Sequence, residues 1–543
     1  MATKSGRIGR QRRSVRRIAW AVAVLLLVVL AAAFPRHAAM TARIGQVIAT
    51  EIWAGRGNLA VAVNDQALPR APVDAIPSGP EGDAEFFKYG AIGNEGADGL
   101  PFKLWAVLPD VCSELMPKGR GEGYRAFGFT YETDPATGKD RVQPIGLSRT
   151  RLGLPPLATE VVAITCAACH VQTYKLPGES VTRIFVGGAN NRLDALAYTR
   201  FLGACADSPD MEPARVVGVI QKRFPQTGWL ERQALRYAIL PVVRDQMRAR
   251  LGTRFHWTWS RPDWGPGRLS PFNPVKFDYL EQPVDETIDH ADVMPVWNVV
   301  EKQRLRSPTP WHWDGLSSDL REVIVNSALG DGVTQFGYRD ATIDRIKRYL
   351  EALKSPKAPF PVDAEAAGRG RVLFAERCAS CHGRDGSRVM TIIPRAEIGT
   401  DPGRIDMWTP AAAAAYNAYD RDGKNSAFPW VFSQFQKNDG YLAQPLDGIW
   451  LTGPYLHNGS VPTLDDLLKP PAERPRAFLR GLDEIDTVRG GYRAPTCNPV
   501  AVASPDGWCF DTARPGNSKE GHAYGSDLSA DERKALVAYL LSL

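Results

Sequence analysis

Residues 364–383 read AEAAGRGRVLFAERCASCHG, and the last letters of this stretch decide what the chain is built around. Cys378, Cys381 and His382 form a C-x-x-C-H motif. Two thiols one helical turn apart can both add to the vinyl groups of a porphyrin, and the adjacent histidine then faces the iron. The motif therefore predicts a covalently attached c-type haem with His382 as an axial ligand of its iron.

A second copy of the motif lies upstream, where CAACH contains Cys166, Cys169 and His170. A C-x-x-C pair alone could also be a redox dithiol or half of a zinc site. A zinc site needs a second pair nearby, and a redox dithiol needs no following histidine. The chain has only eight histidines, and one directly follows each pair. The sequence therefore predicts two covalently bound haems, haem 1 at residues 166–170 and haem 2 at residues 378–382.

Helical patterns flank both motifs. The haem 2 motif ends an amphipathic stretch, and the chain closes with LSADERKALVAYLLSL (528–543), in which Ser529 can cap a helix whose apolar residues recur at helical spacing. A helix that carries C-x-x-C-H with a C-terminal helix across it is the cytochrome c arrangement. Residues 340–353 are interpreted as the closing helix of an earlier domain. We expect a mainly α fold with long irregular loops and two cytochrome c-like domains, each with one covalent haem.

These patterns divide the chain into five parts. They are a basic cytoplasmic tail (1–17), a membrane anchor or signal segment (18–36), a spacer (37–84), an N-terminal cytochrome c-like domain with large insertions (85–355) and a C-terminal cytochrome c domain (356–543).

The basic residues are concentrated at the N-terminus. The formal net charge is +6, but residues 1–17 contain seven Lys and Arg and no acid, so the remainder carries a formal charge of −1. We therefore expect no nucleic-acid partner, because such binding needs a basic face on the folded part. The tail runs into an apolar segment, Ile18 to Phe34, which predicts an anchor in the inner membrane. The following AAAFPRHAA (31–39) would instead fit a signal-peptidase site.

Either interpretation of that segment directs the rest of the chain to the periplasm or another extracytoplasmic compartment. Disulfides form there, and four cysteines lie outside the haem motifs. Cys497 and Cys509 are close in a loop-like stretch and are expected to pair. Cys112 and Cys205 are then left for the second disulfide.

The second axial ligand of haem 2 is open on residue counting alone. Downstream of His382 lie Met390, Met407, His457 and His522. Met390 is close to the attachment helix and is a poor candidate, so His457, His522 and Met407 share the prediction. Around haem 1 the distinctive feature is His312, which lies between Trp311 and Trp313 and follows Trp297. These residues could be core filling, or a distal pocket with an aromatic relay between the haems.

Several stretches resemble known di-haem cytochromes. LTGPYLHNGSVPTLDDLL (451–468) is similar to a P-Y-x-H-x-G-x-x-x-T-L segment of bacterial di-haem cytochrome c peroxidases and of the related methylamine-pathway maturation enzyme. FFKYGAIGNEG (86–96), QPIGLSRTRLGLP (143–155), HWDG (312–315) and FDTARPGNSKEGHAYG (510–525) look more like the rubber-oxygenase, or RoxA-like, branch. The resemblance extends over residues 85–543.

The resemblance implies roles for particular residues. The peroxidases have a methionine ligand shortly after the P-Y-x-H segment, but KPPAERPRAF (469–478) contains none. In the RoxA-like branch a histidine of the C-terminal G-H segment holds the second haem, which matches His522, and His457 becomes a supporting hydrogen-bond partner near haem 2. A tryptophan lies between the haems, for which Trp297 is the first choice and Trp313 the second. His312 then lies on the distal side of the reactive haem 1.

These implications lead to one functional expectation with two alternatives. We expect a haem oxidoreductase that activates peroxide or dioxygen at haem 1, where His312 would suit peroxide chemistry and argues against polyisoprene cleavage. Haem 2 would transfer electrons, and a redox protein would act as donor or acceptor. The alternatives are a non-catalytic electron-transfer cytochrome and a dioxygenase that cleaves an unsaturated lipid or polymer.

Overall fold

The computed structural model describes residues 70–72, 76–135, 137–152, 159–249, 251, 255–334, 337–419, 430–499, 503–504 and 507–543. The predicted basic tail and the predicted anchor at residues 18–36 lie outside these ranges. Within them, no helix is both long enough and apolar enough to cross a membrane. Residues 72–151 and 159–543 form one compact unit, and only residues 70–71 and 152 of the other unit are described. The predicted boundary between residues 355 and 356 stays a prediction.

Seventeen α-helices lie in the described part of the chain. They are α1 (Pro80–Tyr89), α2 (Glu95–Asp98), α3 (Phe102–Val111), α4 (Ala195–Asp207), α5 (Pro213–Arg223), α6 (Trp229–Ala234), α7 (Leu240–Ala249), α8 (Val299–Leu305), α9 (Leu320–Gly330), α10 (Asp340–Ala352), α11 (Ala364–Arg377), α12 (Ala379–His382), α13 (Arg395–Ile398), α14 (Gly403–Met407), α15 (Pro410–Asn417), α16 (Leu464–Leu467) and α17 (Ala530–Leu541).

Thirteen short strands accompany them in the same described ranges. They are β1 (Arg70–Pro72), β2 (Leu100–Pro101), β3 (Leu147–Leu152), β4 (Thr159–Ile164), β5 (Val171–Tyr174), β6 (Arg183–Val186), β7 (Arg268–Leu269), β8 (Ala291–Asp292), β9 (Ile392–Pro394), β10 (Gly440–Leu442), β11 (Ala477–Arg480), β12 (Ala503–Ser504) and β13 (Gly507–Asp511). The pairs β5–β6, β7–β8 and β9–β10 are antiparallel, and β13 lies between β11 and β12.

The C-terminal part is organised by the crossing of α11 and α17. Asp363 caps α11, and Ser529 begins α17 with a capping box to Glu532. The helices meet at Gly370, where a Cβ atom would lie 2.0 Å from the carbonyl oxygen of Ala535. Glycine is thus required for the close approach, and α11 then carries the haem 2 motif at its end.

A second helix pair lies in the N-terminal part, where α1 packs against α10. The buried carboxylate of Asp83 in α1 accepts hydrogen bonds from Arg345 at 2.7 Å and Arg348 at 2.9 Å, both in α10. Burial acts to raise the pKa of Asp83, but the two guanidinium groups outweigh it and the pKa is lowered. The segment interpreted as a closing helix therefore does pack on an earlier helix.

Both expected disulfides are present, Cys112–Cys205 and Cys497–Cys509. The first joins the end of α3 to α4 inside one hydrophobic cluster, and the second joins β13 to the loop before β12. The pairing predicted from the sequence is confirmed. Cys166, Cys169, Cys378 and Cys381 are free thiols.

Candidate haem sites

A cavity of about 290 Å³ lies beside the second C-x-x-C-H motif. Cys378, Cys381 and His382 line it together with His522. The rest of the wall is largely apolar, with Leu456, Leu536 and Leu540 among its members. Such a lining suits the porphyrin ring, and free thiols at the rim are available for its covalent attachment.

His382 is oriented by the loop that faces it. Its Nδ1 lies 2.7 Å from the backbone oxygen of Gln444. A carbonyl oxygen can only accept, so Nδ1 carries the proton and Nε2 has the free lone pair. Burial lowers the pKa of His382, and the contact with Gln444 opposes this effect. The imidazole is therefore neutral at pH 7, the form that binds iron.

His522 faces His382 at the spacing that a bis-histidine haem requires. The two ring centroids are 6.2 Å apart. Two metal–nitrogen bonds of about 2 Å and two nitrogen-to-centroid distances of about 1.1 Å sum to roughly the same value. Burial, with a smaller effect of His382, lowers the pKa of His522 to about 3, so this imidazole is also neutral. The residues present fit a haem held between His382 and His522.

The loop that carries His522 is fixed by backbone contacts. The backbone N–H of His522 donates to the oxygen of Ile398 at 2.7 Å. A Cβ atom on Gly521, whose φ is +75°, would lie 2.2 Å from the carbonyl carbon of Gly399, so only glycine permits this approach. His522 itself has a φ of 43°, unusual for a residue with a side chain. The neighbouring backbone therefore turns His522 toward the cavity.

The other candidate ligands for haem 2 lie elsewhere. Met407 is fully buried in a hydrophobic cluster with Trp408 and Phe272, and Met390 is fully buried beside Val389 and Leu442. Neither methionine lines the cavity. Of the candidates left open by residue counting, only His457 and His522 reach its wall.

His457 is engaged by a tyrosine. The rings of Tyr441 and His457 stack with centroids 4.1 Å apart, and the Tyr441 hydroxyl lies 3.0 Å from His457 Nε2. That hydroxyl donates its proton to the backbone oxygen of Asp401 at 2.6 Å, so its oxygen accepts from His457 Nε2–H. Nε2 of His457 is thus occupied. The supporting role that the resemblance implies for His457 stays a prediction.

The haem 1 motif lies in a turn rather than at the end of a long helix. Cys166–Ala168 is one turn of 3₁₀-helix between β4 and β5. Asn190 holds the turn through its side-chain N–H, which donates to the Ala168 oxygen at 2.8 Å. His170 follows, and its buried Nδ1 has no hydrogen-bond partner among the described residues.

The electrostatics of this turn bear on the alternatives for the first C-x-x-C pair. Burial, with a contribution from Asp331, raises the pKa of Cys166 to about 12 and raises that of Cys169 as well. A reactive dithiol needs a lowered thiol pKa, and neither cysteine has one. Among the residues that the structure describes, no three His, Cys, Asp or Glu side chains are grouped to hold a metal ion. Two free thiols on one turn beside His170 fit covalent attachment of a haem.

Trp297 connects the two motifs. The His170 oxygen accepts from Gly187 N–H at 2.6 Å, and the Gly187 oxygen accepts from Val296 N–H at 2.9 Å. The next residue, Trp297, donates its indole N–H to the Asp447 oxygen at 3.0 Å, in the same loop as Gln444. Its ring also packs edge-on against Phe185 of β6, at 5.6 Å between centroids, and lines the haem 2 cavity.

His312 and Trp313 are neighbours in sequence but lie in different surroundings. Trp313 lines the haem 2 cavity and donates its indole N–H to the Asp292 oxygen at 2.8 Å. His312 packs edge-on against Phe272, with ring centroids 5.3 Å apart, and its buried Nε2 has no partner among the described residues. Burial, with a smaller effect of Arg404, lowers the pKa of His312 to about 3. His312 is therefore neutral and does not line the haem 2 cavity.

Several residues at or next to the candidate sites have a strained backbone. Six non-glycine residues of the described ranges have positive φ. Asn298, His312, Leu456 and His522 are among them, and each is a candidate site residue or its direct neighbour. Such conformations cost about 1–3 kcal/mol each and concentrate at functional sites.

Gln444 and Tyr441 were not anticipated from the sequence. Gln444 acts through its backbone oxygen, so its side chain carries no signal. Tyr441 could have been found only by noticing that it precedes the P-Y-x-H segment by a short loop.

The comparisons with known proteins concern the same region. Residues 440–479 match a family model described as RoxA-like, cytochrome c-like. This segment contains Tyr441, Gln444, Asp447 and His457, all described above. A cytochrome c-like domain implies a c-type haem.

Three relatives are similar to longer stretches. The uncharacterized protein y4iJ of Sinorhizobium fredii is 32% identical over 489 residues, which cover 72% of this chain and 77% of that protein. The uncharacterized protein y4iM of the same organism is 31% identical over 257 residues, covering 43% of this chain and 56% of that protein. The cbb3-type cytochrome c oxidase subunit CcoP of Azospirillum brasilense is 27% identical over 107 residues, which cover 17% of this chain and 34% of that protein.

The extent of the y4iJ match and the haem motifs lead to the same conclusion. The chain belongs to one family with y4iJ and contains a RoxA-like, cytochrome c-like domain, which makes it a c-type haem protein of electron-transfer or oxidoreductase type.

Proposed function

We propose that the protein is a di-haem oxidoreductase that activates peroxide or dioxygen at haem 1 and uses haem 2 for electron transfer. The observation that carries the proposal is the opposition of His382 and His522, with ring centroids 6.2 Å apart. A haem held between these two neutral histidines would have no open position for a substrate. The reaction is therefore assigned to the other motif, at Cys166, Cys169 and His170.

When bound, the haems would supply the redox chemistry through iron that changes oxidation state, with haem 1 as the place where peroxide or dioxygen is activated. Everything else depends on this chain's residues. Cys166 and Cys169 attach one group, Cys378 and Cys381 the other, and His170 and His382 fix their orientation.

His312 is proposed to handle protons near haem 1. Its Nε2 is buried without a partner among the described residues, and the ring is neutral at pH 7. A neutral imidazole can accept a proton at one atom and return it, as peroxide cleavage requires. Its low pKa means that it would hold the proton only briefly, while negative charge develops beside it.

Trp297 is proposed to lie on the path of electron transfer between the two haem sites. The preceding residue, Val296, donates its N–H to the oxygen of Gly187, which in turn donates to the His170 oxygen. The Trp297 indole donates to the loop that orients His382. An aromatic group fixed at both ends suits electron transfer between the motifs. Trp313, which also lines the haem 2 cavity, is the second candidate for this role.

Two other functions have support of their own. A non-catalytic electron-transfer cytochrome is supported by the saturated haem 2 site and by the similarity to an oxidase subunit over 17% of the chain. A dioxygenase that cleaves an unsaturated lipid or polymer is supported by the RoxA-like match. In each case a redox protein or small molecule is the partner, and a periplasmic location with an inner-membrane anchor remains our proposal from the sequence.

The experiment begins with haem stoichiometry and ligand binding. We expect two haems per purified chain, one after the replacements Cys166→Ser and Cys169→Ser, and carbon monoxide binding after reduction only when haem 1 is present. Turnover of peroxide with an electron donor is then compared with oxygen uptake in the presence of an alkene.

Variants at position 312 separate the alternatives. His312→Phe should lower peroxide turnover about 10²–10⁴-fold, whereas the control Trp229→Phe, at a tryptophan that is 64% exposed, should retain most of it. If neither haem binds carbon monoxide, the electron-carrier function replaces the proposal. Oxygen uptake with an alkene and no donor would favour the dioxygenase.

A further inference from the structure

Five residues with charged side chains line the haem 2 cavity, and four of them are paired within the protein. Arg377 pairs with Asp527 and Arg388 with Glu397. Asp292 pairs with Arg480 and Asp447 with Arg384. The fifth residue is Lys302, and its ammonium group has no hydrogen bond or ion pair with any residue that the structure describes.

Lys302 is not a surface lysine. It lies in α8 with 7% of its surface exposed, and that exposure is to the cavity that it lines. Burying an ammonium ion without a partner costs several kcal/mol, so such a group is normally neutralised or paired. Burial lowers the pKa of Lys302 to about 8, and Asp447 limits the decrease. Lys302 thus carries a buried positive charge without a direct ion pair among the described residues, since the nearby Asp447 is paired with Arg384.

The position of Lys302 indicates which anion would pair with it. It shares the cavity with Cys378, Cys381, His382 and His522, the residues assigned to haem 2. A haem brings two carboxylates of its own as propionate groups. Trp297 lines the same cavity and lies just before the start of α8, the helix that contains Lys302.

We propose that Lys302 is the carboxylate-binding residue of this cavity, that it pairs with a propionate of haem 2, and that its charge raises the reduction potential of that haem. The inference rests on the assignment of haem 2 to this cavity. A positive charge beside a haem favours the reduced iron, which carries one positive charge fewer. Lys302 thereby makes haem 2 the better electron acceptor, at the side of the cavity where Trp297 lies.

The test is a spectroelectrochemical titration of the holoprotein, with the haem 2 signal followed in Lys302→Met, Lys302→Arg and the control Lys354→Met. Lys354 is 60% exposed at the side chain and pairs with Glu301, the neighbour of Lys302. We expect Lys302→Met to lower the reduction potential of haem 2 by about 59 mV. For a one-electron couple, this shift corresponds to a tenfold decrease in the equilibrium constant for reduction. Lys302→Arg and Lys354→Met should leave it nearly unchanged.

Two further measurements keep the outcome decisive. If Lys302→Met yields no folded protein, Lys302→Gln removes the same charge with a polar side chain. The wild-type potential should not change with acetate concentration, whereas a dependence on acetate would mean that Lys302 binds a free anion instead. An unchanged potential in Lys302→Met or Lys302→Gln, with low-spin haem 2 intact, overturns the proposal and leaves the His382–His522 assignment untouched. A wild-type protein without a low-spin haem 2 signal would overturn the His382–His522 assignment instead.

Discussion

The crossing of α11 and α17 can be tested by replacing two glycines of α11, of which only one lies at the contact with α17. Gly368 and Gly370 lie two residues apart in the same helix. A Cβ atom at Gly368 meets nothing within 4 Å, whereas one at Gly370 would lie 2.0 Å from the Ala535 oxygen and 2.9 Å from Tyr539 Cβ. An ordinary contact needs at least about 3.4 Å, so Gly370→Ala forces the helices about 1.4 Å apart locally.

The expected changes in the free energy of unfolding have opposite signs. Gly368→Ala gains helix propensity and should stabilise the protein by about 0.8–1 kcal/mol. Gly370→Ala gains the same propensity but overpacks the crossing, which costs about 1–3 kcal/mol or more because backbone atoms are involved. The net result is a difference of roughly 1–3 kcal/mol between the two variants.

The assay is chemical unfolding of the haem-loaded protein, followed by both far-UV circular dichroism and the Soret band of the haems. The Soret band should report the loss in Gly370→Ala most directly, since α11 carries the haem 2 motif at its end. Equal midpoints for the two variants would show that the helices do not approach at Gly370, and the reasoning about this crossing would be wrong.

Two other features give predictions of stability. Because Arg345 and Arg348 lower the pKa of Asp83, the stability from this group is present above its unfolded pKa of about 3.9 and is lost as the pH falls through the lower folded value. Asp83→Asn should therefore lower the melting temperature at pH 7 and weaken its decrease toward acid pH, whereas the exposed Asp110→Asn should change neither. The Cys112–Cys205 disulfide closes a separation of 93 residues and Cys497–Cys509 one of 12. Paired Cys→Ser changes should thus cost about 4.7 and about 3 kcal/mol, and the opposite order of urea midpoints would contradict the loop-closure explanation.

The haem attachment sites and the C-terminal helix were predictable because each depends on a short motif of neighbouring residues. C-x-x-C-H identifies both attachment sites, and the capping pattern at Ser529 with apolar residues at helical spacing identifies α17. Four cysteines remained once the motifs had taken the others, and the short separation of Cys497 and Cys509 favoured their pairing, which left Cys112 and Cys205 for the second disulfide.

The relations across the fold were not predictable in the same way. Residue counting left His522, His457 and Met407 tied, because distance through space cannot be read from separation along the chain. The resemblance favoured His522, and the structure places it opposite His382. The hydrogen bond to His382 comes from the backbone of Gln444, which any residue could provide. The unpaired charge of Lys302 becomes visible only when the partners of its neighbours are known. None of the short strands was anticipated, since two to six residues leave little periodicity to detect.

The central claim is that His382 and His522 hold one haem between them. Electron paramagnetic resonance of the oxidised protein with His522→Ala tests it most directly, with His457→Phe as the matched control. We predict that haem 2 stays covalently attached in both variants, becomes high-spin in His522→Ala and stays low-spin in His457→Phe. A low-spin haem 2 that persists in His522→Ala but disappears in His457→Phe would contradict the account and move the ligand to His457.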